Sequence, residues 1–164
     1  MRTTAAAATI AAGRSLAAIL RAGDVLLLAG DLGAGKTALA KGVAQGLDVE
    51  EPVTSPTFNI LLVHRGRLTL NHFDLYRLET AGQLEDIDYW GTLESGGVSI
   101  VEWGDRFSEA APVDCLTATI SIEGDDERRI ELAPTGPRSS ELAQAWIAAC
   151  RALPGVLAED GESA

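Results

Sequence analysis

The distribution of apolar positions along the chain predicts a sheet with both parallel and antiparallel strands. Val25–Ala29 is apolar without interruption and residues 98–101 are rich in β-branched side chains, so both segments are expected to be buried strands. Two further pairs of strand-like segments are each joined by a short turn that contains glycine, which is the pattern of a hairpin. These pairs are 58–63 with 68–74, and 116–123 with 128–132. We therefore expect an α/β fold with a mixed sheet.

Apolar residues repeat at helical spacing in four other parts of the chain. The expected helical segments are 10–21, a stretch behind residue 37 that ends near residue 46, residues 80–93 with a break at 86–88, and a last helix that begins at Ser139 or Ser140. The apolar stripe of the last helix is formed by Leu142, Trp146, Ala149, Cys150 and Leu153. We expect residues 1–153 to form a single domain and residues 154–164 to form a disordered acidic tail.

Residues 30–37 read Gly-Asp-Leu-Gly-Ala-Gly-Lys-Thr and match the phosphate-binding pattern G-x-x-x-x-G-K-[ST]. In such a loop the glycines let backbone N–H groups approach phosphate oxygens, the lysine reaches the outer phosphates and the threonine hydroxyl ligates Mg²⁺. A chance match is the weaker explanation, because a strand pattern precedes the loop and a helical pattern follows it. The sequence predicts nucleotide contacts at Asp31, Leu32, Gly33, Ala34, Gly35, Lys36, Thr37 and Ala38.

Two carboxylates stand where predicted strands end. Asp74 closes the segment 68–74, and Glu102 follows residues 98–101. The carboxyl ends of strands face the ligand crevice of an open α/β sheet, so either side chain could join Thr37 in holding magnesium or orient an attacking water. The alternative for each is a carboxylate that only caps the next segment.

Several other polar residues are weaker candidates. Thr57 lies in a loop of the kind in which switch segments place a hydroxyl near the metal, together with Thr54 and Ser55. Trp103 could stack on a nucleotide or belong to the core. His72 is expected to be a structural strand residue, and His64 to face solvent in a turn. Arg128 and Arg129, the only adjacent pair of arginines, are expected in the second hairpin.

Composition narrows the possible functions. The formal net charge is -11, so the chain by itself is not expected to hold a nucleic acid, since that binding depends on Lys and Arg. Cys115 and Cys150 lack metal-type spacing and are expected to be core residues in a reducing cytoplasm. No apolar run has the length of a membrane span, and the N-terminus lacks a secretory pattern, so we expect no contact with a membrane.

Four motifs, in this order and spacing, resemble those of the TsaE (YjeE) family. They are the loop at 30–37, Thr-Ser-Pro-Thr-Phe at 54–58, His-Phe-Asp-Leu-Tyr-Arg-Leu at 72–78 and Val-Glu-Trp at 101–103. The loop alone is shared by very many NTPases, but the four motifs together are specific. Members of that family are bacterial ATPases needed to make threonylcarbamoyladenosine in tRNA.

The resemblance implies a three-layer P-loop NTPase-like α/β fold, the cofactors ATP and Mg²⁺, and a complex with TsaD and TsaB. In such a complex the ATPase resets the partners between turnovers, and tRNA is held mainly by them. The resemblance gives Thr57 the switch-like hydroxyl, Asp74 and Glu102 the magnesium and the hydrolytic water, and Trp103 a place in the nucleotide site. Ala38 departs from the family pattern, because many members carry a second threonine there. Turnover by the isolated chain is expected to be slow, since no stimulating arginine is evident.

Two other functions of P-loop proteins remain open at this point. A small-molecule kinase would share the core, but it needs an acceptor pocket and a basic lid. A regulatory GTPase would need an Asn-Lys-x-Asp element to read guanine, and the chain contains none.

Overall fold

The computed structural model describes residues 1–56 and 58–158, and eight strands of this part of the chain form one sheet. In chain order the strands are β1 (Arg2–Thr3), β2 (Val25–Ala29), β3 (Leu61–His64), β4 (Leu70–Asp74), β5 (Val98–Glu102), β6 (Leu116–Ile122), β7 (Arg128–Pro134) and β8 (Val156–Leu157). Their order across the sheet is β3-β4-β5-β2-β6-β7-β1-β8. The four strands β4, β5, β2 and β6 run parallel, whereas the outer pairs are antiparallel. The predicted mixed sheet and both predicted hairpins are confirmed.

Helices cover both faces of this sheet. They are α1 (Ala6–Ala17), α2 (Lys36–Gly46), α3 (Gln83–Asp86), α4 (Tyr89–Leu93) and α5 (Pro137–Cys150). One core lies between the sheet and α1, α2 and α5, where Leu16, Leu39 and Trp146 are fully buried. The second core lies under α3 and α4, where the Tyr89 ring packs edge-on against Phe73 with centroids 4.9 Å apart. The fold therefore has the three α/β layers that the family resemblance implies.

The uninterrupted apolar run of β2 follows from its central position. Leu26 and Leu28 pack into the first core, whereas Val25 and Leu27 pack into the second. Every residue of β2 is buried, because both faces of the strand are covered, and so the strand is apolar at every position instead of at alternate ones. The strand carries the chain through the middle of the sheet and ends where residue 30 begins the candidate phosphate loop.

The helices α1 and α2 lie so close together that glycine is needed at their contact. A Cβ atom at Gly42 would lie 2.0 Å from the carbonyl oxygen of Ile10, and one at Gly13 would lie 2.3 Å from that of Leu39. Backbone atoms cannot move aside as a side-chain end can, so larger residues would push the helices apart. This contact determines where the N-terminus of α2 points.

The first helix differs from the predicted segment 10–21. It begins at Ala6 and ends at Ala17, and a turn connects it to β2. In that turn Gly23 has a φ of 93°, and the N–H of Arg21 donates to Asp24 Oδ2 at 2.8 Å. The apolar residue Leu20 remains in the core, and for this reason the helical pattern seemed to extend beyond the true end.

The last helix begins earlier than predicted, at Pro137 instead of Ser139 or Ser140. Asp114 caps it, because its two carboxylate oxygens each accept a hydrogen bond at 2.9 Å from the N–H groups of Arg138 and Ser139. Because the capping residue lies far upstream in the chain, the residues around position 137 do not indicate that the helix begins there. The predicted stripe holds for Leu142, Trp146 and Cys150, but Ala149 is exposed and Ala143 is buried in its place.

The middle of the chain follows the predictions only in part. The helical segment 80–93 is broken as expected, into α3 and α4, and Asp88 at the break has a φ of 49°. The strand expected at 58–63 begins only at Leu61, because Ile60 has a φ of 63° and cannot continue a strand. His64 was expected in an exposed turn, but it ends β3 and is buried.

The prediction of a disordered tail from residue 154 onward is wrong at its start. Val156 and Leu157 form β8, which pairs antiparallel with β1, and Gly155 O accepts a hydrogen bond from the N–H of Thr4 at 2.9 Å. The ordered part of the chain thus extends past residue 153. Residues 159–164, which include the acidic residues of the predicted tail, lie outside the described residues. Within the described part, no helix combines the length and the apolar character that a membrane crossing requires.

Candidate functional site

The loop at residues 30–37 connects the end of β2 to the start of α2 through three glycines in the left-handed region. Gly30, Gly33 and Gly35 have φ values of 137°, 79° and 113°. At Gly30 space is also limiting, since a Cβ atom would lie 2.2 Å from the carbonyl oxygen of Ile120 in β6. The loop therefore needs glycine at these positions for its path.

This path turns the chain directly into the first turn of α2. The N–H groups of a first helical turn have no carbonyl partner within the helix, and the helix dipole makes that end positive. The N-cap is Gly35, which has no side chain that could occupy these donors. A phosphate or another anion fits such an end, so the geometry supports the interpretation of the motif.

A cavity of about 340 Å³ opens beside the loop. Its walls are formed by Leu32, Gly33, Gly35, Lys36, Thr37, Ala38, Ser55, Asp74, Tyr76, Glu102 and Trp103. Ten of these residues, all except Tyr76, were singled out by the sequence. The structure thus brings together the loop with the start of α2, the ends of β4 and β5, and the residues Ser55 and Trp103. Asp31 and Ala34 contribute to the loop without lining the cavity, and Thr57 lies outside the described residues.

Lys36 is almost fully buried and its ammonium group is bonded to the loop itself. Nζ donates to the carbonyl oxygens of Gly30 at 2.6 Å and Asp31 at 2.8 Å, and it lies 4.1 Å from the centre of the Trp103 ring. Burial lowers the pKa of Lys36 below its ordinary value, and the negative charge of Glu102 acts in the opposite direction. The side chain closes the loop on itself and leaves a cation next to the cavity.

Asp74 and Glu102 are direct neighbours in the register of the parallel strands β4 and β5. Both are nearly inaccessible, at 4% and 2% exposure. Thr37 Oγ1 donates to Glu102 Oε1 at 2.8 Å, and Ser55 Oγ donates to Asp74 Oδ2 at 2.8 Å. The expected meeting of the two strand ends is thus present, and a hydroxyl from the loop lies against one of the carboxylates.

These oxygens form a suitable donor set for Mg²⁺. The ion prefers hard oxygen ligands and usually keeps waters and substrate phosphates in its shell, instead of a cage made of protein side chains alone. Thr37, Glu102 and Asp74 supply one hydroxyl and two carboxylates on one side of the cavity. In the described part of the chain, no group of three or more His, Cys, Asp or Glu side chains forms a metal cage.

Trp103 follows Glu102 immediately and forms an apolar wall of the cavity with Tyr76. Their ring centroids lie 4.9 Å apart. Trp103 has a φ of 57°, which for a residue with a side chain costs about 1–2 kcal/mol. This strained conformation turns the indole toward Lys36 and the cavity, so Trp103 lies at the candidate site instead of deep in the core.

Two residues close to the site were not expected there. His72 Nε2 lies 2.7 Å from Glu102 Oε2, although the sequence favoured a purely structural role for this histidine. Arg128 Nε donates to the carbonyl oxygen of Ala34 in the loop at 2.9 Å. Both contacts join parts of the chain that only the pairing of β4 with β5 and of β2 with β6 brings together. For His72 the alternation along β4 was a usable signal, because it shares a face with Asp74.

The sequence and the fold of this chain are similar to those of known proteins. A model of the family described as "Threonylcarbamoyl adenosine biosynthesis protein TsaE" matches residues 3–130, which is most of the chain. The chain belongs to the TsaE family. The match includes every described residue of the candidate site, all of β6 and the first residues of β7 with Arg128, and it ends within β7 at residue 130.

Curated TsaE proteins from two bacteria are similar over most of their length. The chain is 40% identical to that of Treponema pallidum over 121 residues, which cover 74% of this chain and 90% of the relative. It is 41% identical to that of Bacillus subtilis over 137 residues, covering 83% and 85%. Both carry the name tRNA threonylcarbamoyladenosine biosynthesis protein TsaE. The family is thus one of tRNA threonylcarbamoyladenosine biosynthesis, and the recognition from sequence motifs is confirmed.

A solved crystal structure shares the fold. The crystal structure of Bacillus subtilis YdiB superimposes with a TM-score of 0.75 at 35% sequence identity, covering 89% of this chain and 91% of that one. The α/β architecture with a mixed sheet is therefore common to both proteins.

Proposed function

We propose that this TsaE-family chain is a magnesium-dependent ATPase of tRNA threonylcarbamoyladenosine biosynthesis, and that its ATP hydrolysis drives turnover of a TsaD–TsaB complex. The observation that carries the proposal is the convergence of Thr37, Glu102 and Asp74 beside a glycine loop that opens a helix. Phosphate-binding loops use such a hydroxyl and an acidic strand end to hold the magnesium of a bound nucleotide.

The loop and α2 bind the phosphates in this proposal. The free N–H groups at the start of α2 donate hydrogen bonds to the phosphate oxygens, and Lys36 exchanges its bonds to the Gly30 and Asp31 carbonyls for the outer phosphates. The N–H groups are held in place by the helix before ATP arrives, so on binding only Lys36 has to change its partners. Trp103 and Tyr76 close the side of the cavity against water.

Thr37, Glu102 and Asp74 would hold the magnesium. When bound, the ion neutralises charge on the transferring phosphate. The hydrogen bond from Thr37 places Glu102 on the metal side, and Asp74 lies next to it in register, where it can serve the metal or orient the attacking water. The bond from Ser55 keeps the Asp74 carboxylate at the cavity.

Dependence on partners follows from the charges around the cavity. Lys36 is its only cationic lining residue among the described residues, and no described arginine lines the cavity where it could neutralise charge on the transferring phosphate. Arg106 lies near Tyr76 in the wall of the cavity, but its Nε is already bonded to Leu78 O at 2.6 Å. We therefore infer slow hydrolysis by the isolated chain and stimulation by TsaD and TsaB in the cytoplasm. With a net charge of -11, contact with tRNA is indirect, through those partners.

Nucleotide turnover by the purified chain, alone and with TsaD and TsaB, tests the proposal. The expected result is Mg²⁺-dependent release of phosphate from ATP that rises when both partners are present, with Lys36→Ala as the inactive control. A preference for GTP would indicate a regulatory GTPase, and appearance of the phosphate on a small molecule would indicate a kinase. Either result, or turnover at full speed without partners, would contradict the proposed role.

A further inference from the structure

His72 is a fully buried histidine whose polar contact is directed at the candidate site. It lies in the middle of β4, its side chain is 0% exposed, and Nε2 lies 2.7 Å from Glu102 Oε2. The other ring nitrogen, Nδ1, has no hydrogen-bond partner among the described residues. A histidine that served only the packing of the strand would be expected to bond a backbone carbonyl instead.

The chemistry of the pair determines which atom donates. An ionised carboxylate only accepts hydrogen bonds, so Nε2 must carry the proton that lies between the ring and Glu102. The second oxygen of Glu102 receives the hydroxyl of Thr37 at 2.8 Å. Two donors on opposite oxygens fix the rotation of the carboxylate, whereas one donor would leave it free to turn about its last bond.

We propose that His72 is a positioning residue. It holds the Glu102 carboxylate in the orientation in which Oε1 accepts the hydrogen bond from Thr37 and faces the cavity. His72 itself does not line the cavity, so it acts through Glu102. This inference rests on the proposed function, because there the task of Glu102 is to serve the magnesium of ATP. Partners of this kind behind a metal-binding side chain typically change metal affinity or activity about 10- to 100-fold when they are removed.

His64 offers a matched control. It is the other histidine of the chain, it is also buried, and its Nδ1 also contacts a carboxylate, that of Glu51 at 2.9 Å. The two rings lie on neighbouring strands with centroids 6.5 Å apart. Glu51, however, does not line the cavity beside the loop. Removing His64 should therefore disturb packing about as much as removing His72, without affecting the carboxylate at the site.

Calorimetric titration with ATP, with and without Mg²⁺, separates positioning from packing. The quantity of interest is the gain in ATP affinity that Mg²⁺ provides. We expect His72→Leu to reduce this gain about tenfold or more, while affinity without Mg²⁺ changes less than about twofold. His72→Gln, whose amide can donate from near the position of Nε2, should keep the gain within about threefold, and His64→Leu should leave it unchanged. Thermal melting of each variant reports any loss of folded protein.

The outcomes of this titration distinguish two failures. If wild-type protein binds no ATP, the proposed function is wrong and this inference falls with it. If wild-type protein shows the gain from Mg²⁺ and His72→Leu retains it, or if His72→Leu and His64→Leu lose it equally, only the positioning role is overturned.

A measurement on wild-type protein does not depend on whether a variant folds. With two histidines in the chain, long-range ¹H–¹⁵N NMR spectra resolve both imidazoles in protein without an affinity tag. A proton on Nε2 is expected for His72, and Glu102→Gln should shift its signals but not those of His64. A His72 ring without a proton on Nε2, or His72 signals that do not respond to Glu102→Gln, would refute the proposed contact.

Discussion

Thr37 and Glu102 are joined by a hydrogen bond of 2.8 Å from Oγ1 to Oε1, although 65 residues of chain separate them. Thr37 reaches this point because α2 begins at the end of the glycine loop, and Glu102 because it is the last residue of β5. The parallel pairing of β2 with β5 places Leu28 opposite Glu102, so the loop starts beside the carboxylate. The contact therefore depends on the central part of the sheet.

Replacement of Thr37 by valine tests this contact. Valine has nearly the same shape, but it offers no hydroxyl to a metal and no donor to the buried Glu102. We expect the maximal ATPase rate to fall about 100-fold at saturating ATP and Mg²⁺, measured by phosphate release. Thr37→Ser keeps the hydroxyl and should retain most of the rate. A Thr37→Val variant as active as Thr37→Ser would show that the hydroxyl has no part in hydrolysis.

Removal of the Lys36 charge should weaken nucleotide binding severely. The buried ammonium group is the only cation that lines the cavity among the described residues. Lys36→Ala removes its charge-assisted hydrogen bonds to phosphate. Because such bonds are strong, we expect ATP affinity to weaken about 100-fold in a calorimetric titration. Lys41→Ala is the matched control, because it removes the same charge from an exposed position of the same helix. Similar losses in both variants would point to overall charge instead of a phosphate contact.

The parts of the site that local patterns predict are those made of consecutive residues. The loop at 30–37, the strand before it and the helix after it are all present as expected. Asp74 and Glu102 were identified because each ends a strand, and the register Asp74 to Glu102 brings them together. Their roles toward magnesium and water stay predictions, and so does that of Thr57.

The features that escaped prediction depend on pairing between distant segments. Asp114 caps α5 from a loop that precedes β6, and His72 faces Glu102 only because β4 lies next to β5. Hydrophobic periodicity describes which face of an element is buried, but it does not say which element lies opposite. For the same reason the apolar positions Val156 and Leu157 gave no sign that β1, at the other end of the chain, would accept them as a neighbour.

Substitution of Gly42 tests the contact that positions α2. In Gly42→Ala the new Cβ would lie 2.0 Å from the Ile10 carbonyl oxygen, and only movement of α1 or α2 could relieve the overlap. We expect a loss of about 2 kcal/mol in the free energy of unfolding, measured by urea denaturation. Gly82→Ala is the control, because Gly82 has a φ of -59° and a Cβ there would lie 3.8 Å from its nearest neighbour, Thr80 Oγ1. That variant should be neutral or slightly more stable.

Comparable destabilisation of the Gly42 and Gly82 variants would mean that the loss arises from backbone effects common to both sites. A stable Gly42→Ala variant would mean that α1 and α2 can separate at little cost, and the position of α2 would then need another explanation.

Arg128 connects the second hairpin to the phosphate loop. Its Nε donates to Ala34 O, and its Nη1 donates to the carbonyl oxygens of Gly124 at 3.1 Å and Glu127 at 2.9 Å. One side chain thus ties the turn between β6 and β7 to the loop in its curved path. In Arg128→Met these bonds are lost, and the loop must be ordered by the nucleotide itself. We expect ATP affinity to weaken about tenfold, measured by calorimetric titration.

Arg129→Met is the control for this variant, because it removes the same charge from the adjacent position of β7. Arg129 pairs with Glu123 and Glu131 at 3.6 Å, in ion pairs at the surface that contribute little to stability. ATP affinity of Arg129→Met should stay within about twofold of wild type. If both variants weaken ATP binding equally, long-range charge explains the effect, and the bond to Ala34 does not hold the loop. A selective loss in Arg128→Met would instead make the hairpin part of the nucleotide site, although it follows all four sequence motifs.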